Sequence, residues 1–321
     1  MTKFTYTLIA TTCLAMLGAT TSAKSAPVST IENYIGTIDV VTGDYNKITV
    51  TDADGVPIDT RRSNVTVDGQ YKINNAHCRS KRSSIKIGIG NWKYLKRTGG
   101  YKDLSEYPKI KIQAPKNTHI VIKKSVIFGD VEDIGSADIQ MGSCGNLKFG
   151  DVNGNLDLGI SGNADVEMGD IGPANISISG AGDFVAGDLA SADIYVSGSG
   201  DLEVGDILAF ANIHSSGAGD IKIARIKGGL EYRGSGASDF DADYVGGGDL
   251  YIRVSGSGDV NIDDGDIIAL DIVASGASDV VFGGHSKSAK ARASGASDVT
   301  IDRPSGDLHT SDSGAGDVHV K

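Results

Sequence analysis

The chain has 321 residues, a net charge of −11 at neutral pH, and 44 glycines against 6 prolines. Glycine at that level without proline or a strict third-residue period excludes a collagen-like rod, and 40% hydrophobic residues excludes a disordered polyelectrolyte. So acidic a chain is also a poor partner for nucleic acid, and none is expected.

Residues 1–23 read as a secretory signal peptide. Lys3 supplies a basic start, residues 4–17 a short apolar run, and Thr21-Ser22-Ala23 the small residues of a cleavage point. The run is too short and too broken by threonine to span a bilayer, and no other stretch is apolar enough, so the mature chain is expected without a transmembrane segment. It is expected to be exported: periplasmic, associated with the outer surface, or secreted. In such an oxidising compartment the two remaining cysteines, Cys78 and Cys144, form an even pair. A disulfide tying the N-terminal part to the first repeat is expected, the alternative being two buried thiols.

Residues 24–124 read as a β-rich region. The stretches "IENYIGTIDVVTG" and "KIKIQAPKNTHIVIKKS" have the composition of strands. Charge divides the chain: residues 61–124 hold 16 Lys/Arg and 3 acids (+13), whereas residues 125–321 hold 11 Lys/Arg and 32 acids (−21). The basic part includes the aromatic-rich "NWKYLKRTGGYKDLSEYPK". Arg61, Arg62, Lys81, Arg82, Trp92, Lys93, Lys96 and Arg97 are therefore candidates for holding an anionic envelope polymer or surface glycan. The other reading is a cap whose positive charge offsets the acidic remainder. The same asymmetry predicts weak, salt-sensitive self-association.

From residue 125 to 321 a unit repeats. "SGSGDLEVGDI" from Ser197 returns as "SGAGDIKIARI", "SGSGDVNIDDG" and "SGASDVTIDRP". The aspartate of each small-residue turn falls at 165, 183, 201, 220, 239, 259, 279, 298 and 317, at intervals of 18, 18, 19, 19, 20, 20, 19 and 19. After it, apolar residues alternate with unrelated outward types: Leu202 and Val204 around Glu203, Ile221 and Ile223 around Lys222, Val299 and Ile301 around Thr300. Val260 and Ile262 flank Asn261 in the same way. No helical period interrupts the series. An all-β fold follows, a parallel β-solenoid (β-helix) of ~19-residue rungs, each rising about 4.8 Å. Small residues keep the corners thin, and glycine is expected there for positive φ.

The run of "SGSGD", "SGAGD" and "SGASD", each followed by an aliphatic residue or phenylalanine, resembles the head GIN domain family of auto-transporter adhesins. The resemblance implies a right-handed β-helix, export and a surface role, and it brings no catalytic residues. With the repeats running to Lys321, a translocating barrel is not expected after them.

Candidate chemistry is sparse. Aligned aspartates about 5 Å apart repel by roughly 0.8 kcal/mol in water and ~3 kcal/mol at a surface-like dielectric. That repulsion must be offset by backbone N–H groups or by a cation, with Asp201, Asp220, Asp239 and Asp259 the candidate Ca²⁺ ligands. No other cofactor is expected. The six histidines show no i, i+4 metal pair, and the adjacent Asp263 and Asp264 fit solvated loop acids better than a glycosidase pair. A hexapeptide-type acyltransferase fails on the drift away from 18-residue spacing. The expected function is a non-enzymatic envelope or surface binding module. The alternatives are a polysaccharide lyase or hydrolase on the same scaffold, or a purely structural envelope protein.

Overall fold

The computed structural model describes residues 25–73, 76–81 and 84–321; the signal-peptide expectation lies outside them. It is nearly all β, a parallel solenoid of about 11 turns with ~19-residue spacing. Two walls run its length. One stacks the strands that follow the corner aspartate, with Phe184, Leu202, Ile221, Phe240, Val260, Val280 and Val299 in successive register. The other stacks the returning strands, through Ile176, Ile194, Ile213, Tyr232, Ile252 and Ile272. Between the walls a column of single buried residues, Ile134, Val152, Ile171, Leu189, Ile207, Ile226 and Val245, closes each turn.

The core sits inside the coil because alternation sends every second side chain inward. Val204, Ile223, Ile262 and Ile301 are buried, Glu203 and Lys222 are exposed, and Thr300 is half-buried. Volume is balanced within rungs. Phe184 pairs with Ala186, Phe240 with Ala242, and Val280 with Phe282, so a large residue in one column meets a smaller one beside it. Tyr232 is fully buried where Ser215 and Gly234 leave room, its ring 4.7 Å from that of Phe240. Burial raises the Tyr232 hydroxyl pKa far above the usual tyrosine range, with the Asp239 charge adding to it.

Parallel pairing continues on both sides of the division expected at residues 124 and 125. Strand His119–Lys123 pairs in parallel with Val28–Glu32, and Val126–Val131 pairs with Ile35–Gly43. The N-terminal strands are thus a rung of the same solenoid. Beneath them lies a further rung, Asn64–Asp68 and Lys109–Pro115. That end is closed by two antiparallel strands, Ile58–Arg61 on Asn64–Asp68 and Thr49–Asp52 on Lys109–Pro115. Out-of-order rungs carry no repeat spacing, which is why the sequence period begins only later.

Residues 69–108 leave the coil between the two strands of the capped rung. They form a small antiparallel sheet (Ala76–Lys81, Ser84–Ile89, Lys102–Asp103) and a helix, Trp92–Thr98. The excursion packs against the outside of the wall over Ile35, Val126 and Phe128, using Ile73, Ile87 and Tyr107. A disulfide between Cys78 and Cys144, Cα atoms 6.1 Å apart, fastens it there.

Most corner glycines have a reason other than the expected one, which holds at three of them. Positive φ in the repeat corners occurs at Gly276, Gly295 and Gly314, but not at Gly180, Gly198, Gly217, Gly236 or Gly256. There the requirement is space. A Cβ on Gly198 would lie 1.8 Å from the Gly180 carbonyl oxygen, and one on Gly217 2.0 Å from that of Gly198.

Candidate binding surfaces

The aspartates form ladders. Asp220 N–H donates to Asp201 Oδ1 (2.9 Å), Asp239 N–H to Asp220 Oδ1 (3.2 Å), and Asp259 N–H to Asp239 Oδ1 (2.9 Å). The pattern runs on to Asp317 N–H on Asp298 Oδ1 at 3.0 Å. A hydrogen bond to a charged group contributes about 1.5–3 kcal/mol, comparable with the like-charge repulsion it must offset. The four candidate Ca²⁺ ligands therefore already have a partner at one oxygen each.

A second ladder went unread in the sequence. Asp151, Asp170, Asp188 and Asp206 each donate N–H to the aspartate one rung earlier, at 3.0, 2.9, 2.9 and 2.8 Å. Its signal was the Gly-Asp dipeptide that precedes the column residue. A Cβ on Gly169 would sit 2.3 Å from Asp151 Oδ1, so the glycine makes room for the stacked carboxylate.

The basic candidates divide among elements. Trp92, Lys93, Lys96 and Arg97 share the helix at the outer part of the excursion, where only Leu95 is buried. Asn91 caps the helix through its side chain and Gly99 ends it at φ 68°, so its orientation is set at both ends. Lys96 and Arg97 occupy the last turn, where the helix dipole favours cations. Trp92 and Tyr94 are 50% and 58% exposed, with the Lys96 ammonium 5.8 Å from the indole ring. Arg79 lies over the Tyr101 ring at 4.2 Å nearby. Arg61 and Arg62 are elsewhere, Arg61 at the end of the capping strand Ile58–Arg61 and bound to Asp59 at 2.9 Å, Arg62 in the turn that leads to Asn64–Asp68. Lys81 ends the strand Ala76–Lys81, and Arg82 is outside the described residues.

A concavity of about 720 Å³ lies on the returning wall. Its outward column is Tyr195, His214, Arg233, Arg253, in register over four rungs. Beside it run the corner serines Ser197, Ser216, Ser235 and Ser255. The Tyr195 and His214 rings meet edge to face at 5.1 Å. Arg233 Nη1 is 2.9 Å from His214 Nε2. A guanidinium only donates, so Nε2 accepts and Nδ1 keeps the imidazole proton. Arg233 also pairs with Glu231, and Arg253 with Asp271 Oδ2 at 3.1 Å. The column carries no sequence period because its residue types differ from rung to rung.

Asp263 and Asp264 do not converge on a common site: Asp263 accepts from Asn261 Nδ2 at 2.9 Å and Asp264 from the N–H of Gly265 at 2.7 Å. Among the described residues no helix is long and apolar enough to cross a membrane.

The architecture is that of a capped β-solenoid with a lateral basic excursion, a scaffold that displays side chains in columns. Residues 206–321 match the family model described as "Putative auto-transporter adhesin, head GIN domain", the family that the repeated corner resembles. The match opens within the strand Leu202–Ile207, while both walls continue upstream without a break. No curated protein and no solved structure matches the chain.

Proposed function

We propose that the chain is an exported, non-enzymatic binding head at the cell envelope, and that the tip of its excursion grips an anionic envelope polymer. One observation carries the reading: a capped helix presents Trp92 and Tyr94 beside Lys93, Lys96 and Arg97 on an appendage fixed by a disulfide. Aromatic rings supply contact area at low entropy cost, and the clustered cations draw in a polyanion over a Debye length. The adhesin-like description of the matched family supports a surface role.

Trp92 is the sole tryptophan, so its fluorescence reports on this surface alone. Titration with lipopolysaccharide should blue-shift and saturate the emission. Binding should weaken at least tenfold in Lys93→Ala/Lys96→Ala/Arg97→Ala and fade at 1 M salt, where screening acts over about 3 Å. An unmoved emission, or equal affinity of the triple variant, would make the excursion a charge-compensating cap. Depolymerisation of an acidic polysaccharide by the purified chain would overturn the non-enzymatic part.

A further inference from the structure

The geometry points to a second binding site, separate from the excursion: the returning-wall groove takes a linear, carboxylate-bearing glycan lying along the solenoid axis. Three of the five arginines after residue 124 fall on one column, Arg233, Arg253 and Arg292, in a region whose net charge is −21. Chance placement on an acidic body would scatter them. Two carboxylates, Glu231 and Asp271, lie on the neighbouring outward column and hold the guanidinium groups in place. Over these rungs the two columns hold four cations (Arg233, Arg253, Lys290 and Arg292) and three anions (Asp193, Glu231 and Asp271), a small positive excess on a solenoid that is otherwise negative.

The class of ligand follows from what the wall lacks and what it offers. Backbone N–H and C=O groups here are paired in the ladders on both sides, so no edge is available for an added peptide strand. Recognition must come from side chains at a fixed repeat. Two rungs rise roughly 9.6 Å, close to the length of a disaccharide in an extended β-linked chain. Tyr195, 42% exposed, offers a ring face on which a pyranose stacks. His214 Nδ1–H, the serine hydroxyls and the arginine N–H groups not already given to His214, Glu231, Ile252 O and Asp271 donate to hydroxyl and carboxylate oxygens along the chain. Alternate sugar rings, two rungs apart, therefore meet the same corner serine hydroxyls, while the Tyr195, His214 and arginine column differs along the chain.

The test is calorimetric titration of the full chain with β-linked hexamannuronate, its dimer, and neutral cellohexaose. The hexamer should bind at least tenfold more tightly than the dimer, because only the longer chain spans Tyr195 to Arg253, and cellohexaose should bind at least tenfold more weakly. Tyr195→Ala and Arg253→Lys should each lose at least fivefold, the latter keeping the charge while removing the fork. The same losses should appear when Tyr195→Ala or Arg253→Lys is made in the Lys93→Ala/Lys96→Ala/Arg97→Ala background, which removes any polyanion held by the excursion and so separates the two sites. The inference is overturned by absence of hexamannuronate binding, by equal binding of cellohexaose, by wall variants that bind normally, or by loss confined to the excursion variant. Unchanged circular dichroism in the two wall variants certifies that a loss is local.

Discussion

Gly217→Ala probes the stacking of corners at an interior rung. The new Cβ would stand 2.0 Å from the Gly198 carbonyl oxygen, and ordinary contact begins at 3.4 Å, so the corner must open by 1.4 Å. That is close to a third of a rung rise of about 4.8 Å. The bond from Ala218 N–H to Gly198 O is 2.9 Å and would stretch beyond useful range. Above, Ala237 N–H to Gly217 O, also 2.9 Å, holds the corner against moving the other way. One lost backbone bond at about 1 kcal/mol and overpacking at roughly 1–3 kcal/mol predict a loss of about 3 kcal/mol. Two controls separate the causes. In Gly316→Ala the Cβ meets Ser297 O at 2.2 Å, but the last described rung has a neighbour on one side and can yield, so about 1 kcal/mol is expected. In Gly55→Ala nothing lies within 4 Å and only the left-handed φ of 77° is penalised, again about 1 kcal/mol. Urea unfolding followed by circular dichroism gives all three values. If Gly217→Ala proves as stable as Gly55→Ala, the steric account of the corner glycines is wrong.

Other outcomes follow from the ladders and the appendage. Asp220→Ala should cost about 1 kcal/mol by uncapping the Asp239 N–H, and Asp220→Asn should recover most of it; equal losses would deny the capping role. A chelator should leave the melting temperature of the wild type unchanged, whereas a fall that Asp220→Asn/Asp239→Asn abolishes would assign Ca²⁺ to the corner. Burial, then the charges of Asp239, Asp220 and Asp263, raise the Asp241 pKa. Its contribution is therefore fully present below the unfolded carboxylate pKa and lost as pH rises through the raised folded value. Asp241→Asn should be more stable than wild type at neutral pH and lose that advantage in acid, as paired melts across pH would register. Thiol titration of unfolded, unreduced protein should find no free Cys78 or Cys144. Cys78→Ser/Cys144→Ser should lose up to about 4 kcal/mol for a 66-residue separation, seen as a lower unfolding midpoint.

Legibility differed by type of information. Inward residues such as Val204 and Ile262 were readable because a two-residue period and a rung period coincide in them. The corner aspartates were readable as a column, yet their partners were not, since the acceptor lies one rung away rather than within the turn. Strands Val28–Glu32 and Ile35–Gly43 could be recognised as strands but not placed, because their neighbours come from residues 64–68, 109–115 and 119–131. The groove column was hidden for a related reason: Tyr195, His214 and Arg233 share a position, not a chemistry. Trp92 and its basic neighbours stood out by composition alone, and the helix joins four of the eight candidates while Arg61 and Arg62 belong to the cap.

The displaced first rung also dictates an order of assembly. A chain emerging from its N-terminus presents residues 28–43 long before either neighbour exists, for the rung below needs residue 115 and the rung above residue 131. The capped end therefore closes only after residue 131 has followed. Once those strands meet, the capped end becomes a finished template, and every later segment of about 19 residues docks onto a surface already formed. A stacked array can nucleate at any pair of neighbouring rungs and grow from there, so this end serves as one template among the rungs and as the cap that stops growth. Deleting rungs from the far end should merely shorten the product, whereas deleting residues 28–43 should separate the cap from the regular rungs.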